Sequence, residues 1–406
     1  MLKKNFPKSW RHGVWGFSKI ALSGFTCLTF VALSFGAAKP PIYGQLSIKG
    51  GHFVNAAGQN VQLKGMSMYA WTPAAIGFYN TTAIGHLAQD WKCTAIRIPY
   101  MSKGSVTMAQ LDSVIQGCVN NGIYAIVDWH GGSNSDVASP TKFFQTVATR
   151  WHTVPNIMYE PENEPSGAGV TWPTIKPYME TVIAAIRAID PTNIIICGNP
   201  QWDQQPQSVL QAPGPITDAT NIAYTMHFYA ASHPVGSYGK GIKTSMAGGL
   251  AIFITEYGTC NASGHAPLNL PATTAWYNFL DSNMIGSTNW GVEAEDIDGA
   301  ACFTKAASKT GPWADNVLNG DATFVRTYIM KAVPNQPPVE VLPNEFKIQR
   351  GVHAPAMNEL LFGANAKSAM FTVNGMRCSA GDKLTNGLYV FPVPGKSGAK
   401  VINVGR

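Results

Sequence analysis

The sequence has 406 residues, of which 45% are apolar and 13% are charged, and its formal net charge is +6. This length exceeds the needs of one ordinary domain, so we expect one large domain with short additions. The high apolar and low charged fractions exclude a mainly disordered chain.

The first 38 residues have the composition of a secretory leader. Residues 1–19 hold five basic side chains and no acid, and an apolar run at 20–33 and a small-residue stretch at 34–38 follow. The order predicts a signal peptide at 1–38, cleaved after Ala38, and a secreted or cell-surface protein. A retained anchor is disfavoured, because the apolar run falls short of the roughly 20 residues that span a membrane.

Removal of the leader lowers the net charge of the chain. Of the 29 basic residues 24 remain, against 23 acids, so the mature chain is nearly neutral. No basic surface is left to indicate nucleic-acid binding, and a neutral polymer is the better partner.

Six cysteines follow Cys27 of the leader, an even number that predicts some disulfide pairing in an exported chain. We favour Cys260 with Cys302, since each follows a predicted strand end on the same face. No CxxC, Cys/His zinc spacing or His-x-His pair occurs, so neither a metal nor another cofactor is expected. The six are Cys93, Cys118, Cys197, Cys260, Cys302 and Cys378.

Short apolar and β-branched runs alternate with helical periodicity through most of the chain. A β-hairpin at 45–59 is expected to close the bottom of the structure, and residues 108–120, 174–189 and 273–283 supply helices. Eight strands separated by helices predict a (β/α)8 TIM barrel in a catalytic domain at 39–333. The predicted strands are 61–67, 95–99, 124–130, 156–164, 194–198, 222–229, 251–258 and 286–292.

A proline-rich stretch at 334–345 is typical of a linker. The tail at 346–406 has strand-like runs at 370–373, 388–393 and 400–404 and two Asn-Gly turn signals, which predict a small β module.

In such barrels the active site lies at the carboxyl ends of the strands. Two carboxylates stand there, Glu164 at the end of the fourth predicted strand and Glu256 at the end of the seventh. Glycoside hydrolysis needs such a pair, and a separation of about 5 Å is typical of retaining enzymes. The strand ends supply Arg97, His130, Asn163, Glu164, His227, Tyr229, Glu256 and Trp290.

Eight motifs together resemble glycoside hydrolase family 5, in particular its bacterial endo-β-1,4-glucanase branch. The resemblance implies an enzyme that cleaves β-glucan, with Glu164 as acid/base and Glu256 as nucleophile. We expect the protein to be a monomer. The motifs are LKGMS (63–67), IRIPY (96–100), IYAIVDWH (123–130), NIMYEPENEP (156–165), NIIICGNPQW (193–202), MHFYA (226–230), FITEYGT (253–259) and NW (289–290).

The other matched residues take supporting roles in this interpretation. Arg97 and Tyr229 would hydrogen-bond Glu256, and Asn163 would bind the sugar 2-hydroxyl. His130 would bind sugar, and His227 would tune the acid.

Aromatic side chains are expected to stack on pyranose rings. Trp290 would lie under the reacting sugar, and Tyr69, Trp71 and Trp202 are further platforms.

Several alternatives stay open. Period-two alternation places Glu160 and Glu162 on the same strand face as Glu164, so only the motif favours Glu164. The family's Ser-Asp-Lys-x-Glu stretch is missing after Trp290, and acids at 293, 295 and 296 would bind sugar hydroxyls or face solvent.

The tail weakly resembles surface-sorting domains. The alternatives are a carbohydrate-binding module and a β appendage with a purely structural role. Rival functions are a related β-glycanase for mannan, xyloglucan or mixed-linkage glucan, a non-catalytic polysaccharide-binding barrel, and a metal-dependent hydrolase.

Overall fold

The computed structural model describes residues 39–333 except 102–103, 105, 132–135 and 296–298, together with residue 337 and the tail segments 370–372, 377–378, 387–392 and 399–404. The predicted signal peptide lies outside the described residues, as does the predicted linker apart from residue 337. Among the described helices, none has both the length and the apolar character needed to cross a membrane.

Parallel strands close into a barrel with eight positions, which confirms the predicted fold. Each strand pairs with the next around the ring, and the last returns to the first through Ser287 opposite Lys64. An N-terminal antiparallel hairpin, β1 and β2, precedes them. The strands are β1 Ser47–Lys49, β2 His52–Val54, β3 Lys64–Met68, β4 Ala95–Tyr100, β5 Tyr124–Trp129, β6 Ile157–Glu160, β7 Ile194–Cys197, β8 Ile222–Thr225, β9 Phe228–Tyr229, β10 Ile252–Gly258 and β11 Ser287–Val292.

Two barrel positions differ from the prediction. The fourth strand, β6, ends at Glu160 rather than at 164, because Pro161 follows and lacks an N–H for the ladder. The sixth position holds two short strands, β8 and β9, which both pair with β10. Between them the N–H of His227 donates to the Asp203 carbonyl at 3.1 Å, outside the ladder.

Helices cover the outside of the barrel, and local signals set their ends. Thr107 and Gln110 form a capping box at the start of α3, and Gly122, with φ of 68°, ends that helix. Pro173 and Pro271 occupy first turns, where no N–H is needed. The helices are α1 Pro73–Ile76, α2 Thr81–Gln89, α3 Met108–Asn121, α4 Ala138–Trp151, α5 Trp172–Arg187, α6 Pro200–Asp203, α7 Val235–Ala247, α8 Leu270–Ser282 and α9 Ala322–Met330.

The hairpin closes the amino-terminal end of the barrel, as predicted. The ring of Phe53 in β2 packs against Phe253 in β10 with centroids 5.4 Å apart. The hydroxyl of Tyr124, at the start of β5, donates to the Gly44 carbonyl at 2.7 Å. These contacts close the amino-terminal end of the barrel, so its interior is open at the carboxyl ends of the strands.

The predicted disulfide between Cys260 and Cys302 is wrong. All five cysteines between Cys93 and Cys302 are buried free thiols. Cys260 packs with Tyr229 and Trp290, whereas Cys302 belongs to the large core cluster between the sheet and the helices.

The described tail segments form an antiparallel sheet of their own. Its strand order is β13-β12-β14-β15, with one strand, β13, more than the sequence predicted. The strands are β12 Met370–Thr372, β13 Arg377–Cys378, β14 Gly387–Pro392 and β15 Ala399–Val404.

The hairpin contact can be tested by truncation. We expect Phe53→Ala to lower the free energy of unfolding by about 3 to 5 kcal/mol, because it leaves a cavity against Phe253. The exposed Lys49 in β1 is the matched control, and Lys49→Ala should change the free energy of unfolding by less than about 0.5 kcal/mol. Urea unfolding measures both, and equal stability of the two variants would contradict a packing role for the hairpin.

Candidate active site

A buried guanidinium group organises the carboxyl end of the barrel. Arg97 in β4 is fully buried and forms ion pairs with Glu160 at 2.7 Å, Glu256 at 2.8 Å and Asp128 at 2.9 Å. Its Nη2 also donates to Oδ1 of Asn163 at 2.6 Å. Burial alone would lower the pKa of Arg97, but the three carboxylates raise it, so the group remains charged.

Glu256 is held at both carboxylate oxygens. Nη1 of Arg97 donates to Oε2 at 2.8 Å, and the Tyr229 hydroxyl donates to Oε1 at 2.7 Å. Burial and the charge of Glu256 raise the pKa of Tyr229, so this hydroxyl keeps its proton. The two donors fix the direction of a carboxylate suited to nucleophilic attack.

Glu164 lies beyond the end of its strand, which corrects the prediction that it ends the fourth strand. Its backbone is left-handed, with φ of 52°, and its N–H donates to Oδ2 of Asp203 at 2.8 Å. Oε1 lies 2.9 Å from Nδ1 of His227. Burial raises the pKa of Glu164, against the opposing charge of Arg97, as a general acid requires.

The two carboxylates face each other across the entrance. One oxygen of Glu164, one of Glu256 and a ring nitrogen of His227 all lie within 4.8 Å of one another. Carboxyl groups of retaining glycosidases are about 5 to 5.5 Å apart, whereas inverting ones leave about 6.5 to 9.5 Å for a water. The pair therefore has the spacing of direct attack.

The neighbouring acids of the Asn-Glu-Pro motif are engaged elsewhere. Glu160 forms the ion pair with Arg97. Glu162 is fully buried next to Tyr178. Burial and the charge of Glu162 both raise the pKa of Tyr178. The side chain of Glu164 is 25% exposed. Among these three acids, Glu164 is the one a substrate can reach.

His130 is held by an acid that the sequence analysis did not select. Oδ2 of Asp128 lies 2.6 Å from Nδ1 of His130 and also accepts from Arg97. Burial and the charge of Arg97 lower the pKa of His130 to about 4. The ring is therefore neutral with its proton on Nδ1, and Nε2 is an acceptor for a hydroxyl. Residues 128 and 130 are two apart on one strand and therefore point to the same face, which is the sequence signal that could have identified Asp128.

Three aromatic rings beside His130 form a platform. Tyr69 lies 5.1 Å from both Trp71 and Trp290, and the rings of His130 and Trp290 stack 5.6 Å apart. Trp71 is 44% exposed. Trp202 is 49% exposed on a separate left-handed turn. Both exposed rings offer a flat apolar face to a pyranose.

The acids after Trp290 differ from one another. Glu293 is buried and accepts from the Thr72 hydroxyl at 3.0 Å, so it does not face solvent. Burial, helped by Glu295, raises the pKa of Glu293 to about 7. Asp296 lies outside the described residues.

The comparisons with known proteins agree on one family. A family model described as Cellulase (glycosyl hydrolase family 5) matches residues 54–296. An endoglucanase of Clostridium saccharobutylicum is 34% identical, with 75% of this chain and 69% of the relative aligned. Endoglucanase Z of Dickeya dadantii is 37% identical over 56% of this chain, and the match spans only 54% of that relative. The catalytic domain of Thermobifida fusca endoglucanase Cel5A has a TM-score of 0.64 at 29% identity, covering 71% of this chain and 98% of that domain.

The contribution of Arg97 can be tested by measuring the stability of the protein. We expect Arg97→Met to lower the free energy of unfolding by about 3 to 5 kcal/mol, since it leaves buried carboxylates without their counter-charge. Arg150→Met is the control, because Arg150 is 43% exposed in its ion pair with Asp112, and it should cost at most about 1 kcal/mol. Urea unfolding measures both variants, and an equally small loss of unfolding free energy in the two would contradict the central role of Arg97.

Proposed function

This chain belongs to glycosyl hydrolase family 5, and we propose that it is a retaining endo-β-1,4-glucanase that hydrolyses internal bonds of cellulose-type β-glucans. The observation that supports the mechanism best is the separation of Glu164 and Glu256, whose carboxylate oxygens lie within 4.8 Å. Their surroundings differ, since Glu256 accepts from Arg97 and Tyr229 and burial raises the pKa of Glu164.

In the first step Glu256 attacks the anomeric carbon. A bond forms between a carboxylate oxygen and that carbon while the glycosidic C–O bond breaks. Glu164 gives its proton to the departing oxygen, and a glycosyl ester on Glu256 remains. In the second step Glu164 takes a proton from water, whose oxygen attacks the same carbon and releases Glu256.

Neighbouring polar groups stabilise the transition state in this proposal. The Oδ1 of Asn163 is occupied by Arg97, which turns the amide nitrogen toward a sugar 2-hydroxyl. Such a contact strengthens as charge develops on the ring. His130 offers Nε2 to another hydroxyl, and Arg97 and Tyr229 keep Glu256 in line.

The substrate proposal combines the aromatic side chains with the relatives. Tyr69, Trp71 and Trp290 supply a platform on which a glucose ring stacks, and Trp202 supplies a second. A variant of the Thermobifida fusca domain was solved in complex with cellotetraose. A β-1,4-linked glucan is therefore the substrate we propose, with mannan, xyloglucan and mixed-linkage glucan as related candidates.

We also propose that the protein acts as a secreted or surface-bound monomer. The basic and apolar leader at 1–38 supports export, and the tail module is proposed to serve surface sorting.

Activity on polymers tests the function. The protein spanning residues 39–406 should release reducing ends from soluble cellulose, and Glu256→Gln and Glu164→Gln should lower kcat by about 10² to 10⁴-fold or more. Glu180→Gln is the control, because the side chain of Glu180 is 41% exposed on α5. Binding without cleavage by the wild type would favour the non-catalytic barrel, and loss of activity with a chelator would favour the metal-dependent hydrolase.

The stereochemistry of the product tests the mechanism separately. We expect the β-anomer to appear first, because attack by Glu256 and then by water inverts the carbon twice. Proton NMR of a cello-oligosaccharide digest in its first minutes distinguishes the anomers. An initial α-anomer would exclude the ester on Glu256.

A further inference from the structure

A buried hydroxyl connects the proposed acid to the arginine network. Thr255 precedes Glu256 in β10 and is fully buried. Its Oγ1 lies 2.8 Å from Nε2 of His227, 2.8 Å from Oε1 of Glu160 and 2.5 Å from Oγ1 of Thr225. A threonine hydroxyl donates once and accepts twice, so these three contacts saturate it. The hydrogen positions can therefore be assigned by counting.

The count starts at Glu160. Its two oxygens accept from Nε and Nη2 of Arg97 at 2.7 and 3.1 Å, the fork geometry of an ionised carboxylate. An ionised Glu160 only accepts, so Thr255 donates its one hydrogen to it. Thr255 then accepts from Thr225 and from His227, which places a hydrogen on Nε2 of the imidazole.

Neutral His227 carries only that one hydrogen. Burial lowers the pKa of His227 to about 4, although the charge of Glu256 opposes this effect. With Nε2 protonated, Nδ1 has a lone pair and can only accept. Its contact with Oε1 of Glu164, at 2.9 Å, is then made by a protonated Glu164 that donates.

We propose that Thr255 is a positioning residue of the reaction, which fixes the Nε2–H tautomer of His227 and thereby keeps on Glu164 the proton that the leaving group receives. This inference rests on the proposed function, because it concerns the acid of that reaction.

The other groups around the pair do not supply this constraint. Asp203 lies 3.7 Å from Nε2, beyond hydrogen-bond distance, and its oxygens accept from the backbone N–H groups of Asn199 and Glu164. The titratable groups that face Glu164 and His227 are Arg97, Asp128, His130, Glu160, Asp203, Tyr229 and Glu256.

Replacing the hydroxyl by a methyl group tests the assignment. In Thr255→Val the Nε2–H group loses its acceptor, so the hydrogen moves to Nδ1 and donates to Glu164. That bond favours the ionised carboxylate and lowers its pKa. Glu164 must be protonated in the first step, so the alkaline limb of kcat/KM should shift down by about one pH unit. Thr255→Ser should restore the wild-type limb.

Thr225→Val is the matched control. It removes another buried hydroxyl next to Thr255 but leaves the contacts from Glu160 to His227 in place, so its alkaline limb should match the wild type. An active Thr255→Val protein with an unshifted limb would overturn the proposal, even if kcat were lower.

Nitrogen-15 NMR of the histidine rings gives a readout that needs neither substrate nor variant. Wild-type His227 should show a protonated Nε2 and a bare Nδ1 near neutral pH, and the opposite tautomer would overturn the proposal even if Thr255→Val did not fold. Lack of glucan cleavage by the wild type would instead refute the proposed function.

Discussion

The charge of Arg97 is the constraint on which the rest of the site depends. A guanidinium group buried in a protein needs acidic partners, and here three strands supply them through Asp128, Glu160 and Glu256. Two of these partners extend the network, since Asp128 contacts His130 and Glu160 accepts from Thr255. The apolar interior and the hairpin plug below keep water away and preserve the strength of these interactions.

Two carboxylates with different surroundings follow from this arrangement. Glu256 sits within β10 and accepts from the charged Arg97 and from the buried Tyr229 hydroxyl. Glu164 stands on a left-handed backbone that the Asp203 carboxylate stabilises, and its side chain is partly exposed beside a neutral His227. The difference in environment is what separates a nucleophile from an acid when both are glutamates.

We propose that a polymer is recognised outside this charged centre. Trp71 projects from the loop after β3 and Trp202 from the short segment α6 after β7, and both keep large exposed faces. Loops after barrel strands vary without disturbing the barrel, so the proposed function places substrate preference and catalysis in separate parts of the fold. The buried Glu293 adds an acid with a pKa of about 7 beside Tyr69, where this chain departs from the pattern of its family.

The sequence by itself determined the barrel, the hairpin plug and the family, because strand and helix periodicity is local and the motifs stand in a fixed order along the chain. It also singled out Glu164 and Glu256, since carboxylates near strand ends are rare without a role. The free Cys260 and Cys302 and the partners Asp203 and Thr255 emerged only from the tertiary structure. These features depend on distances between residues far apart in the chain. Hydrogen-bond direction and burial are set by what packs around a residue, which no local pattern of side chains records.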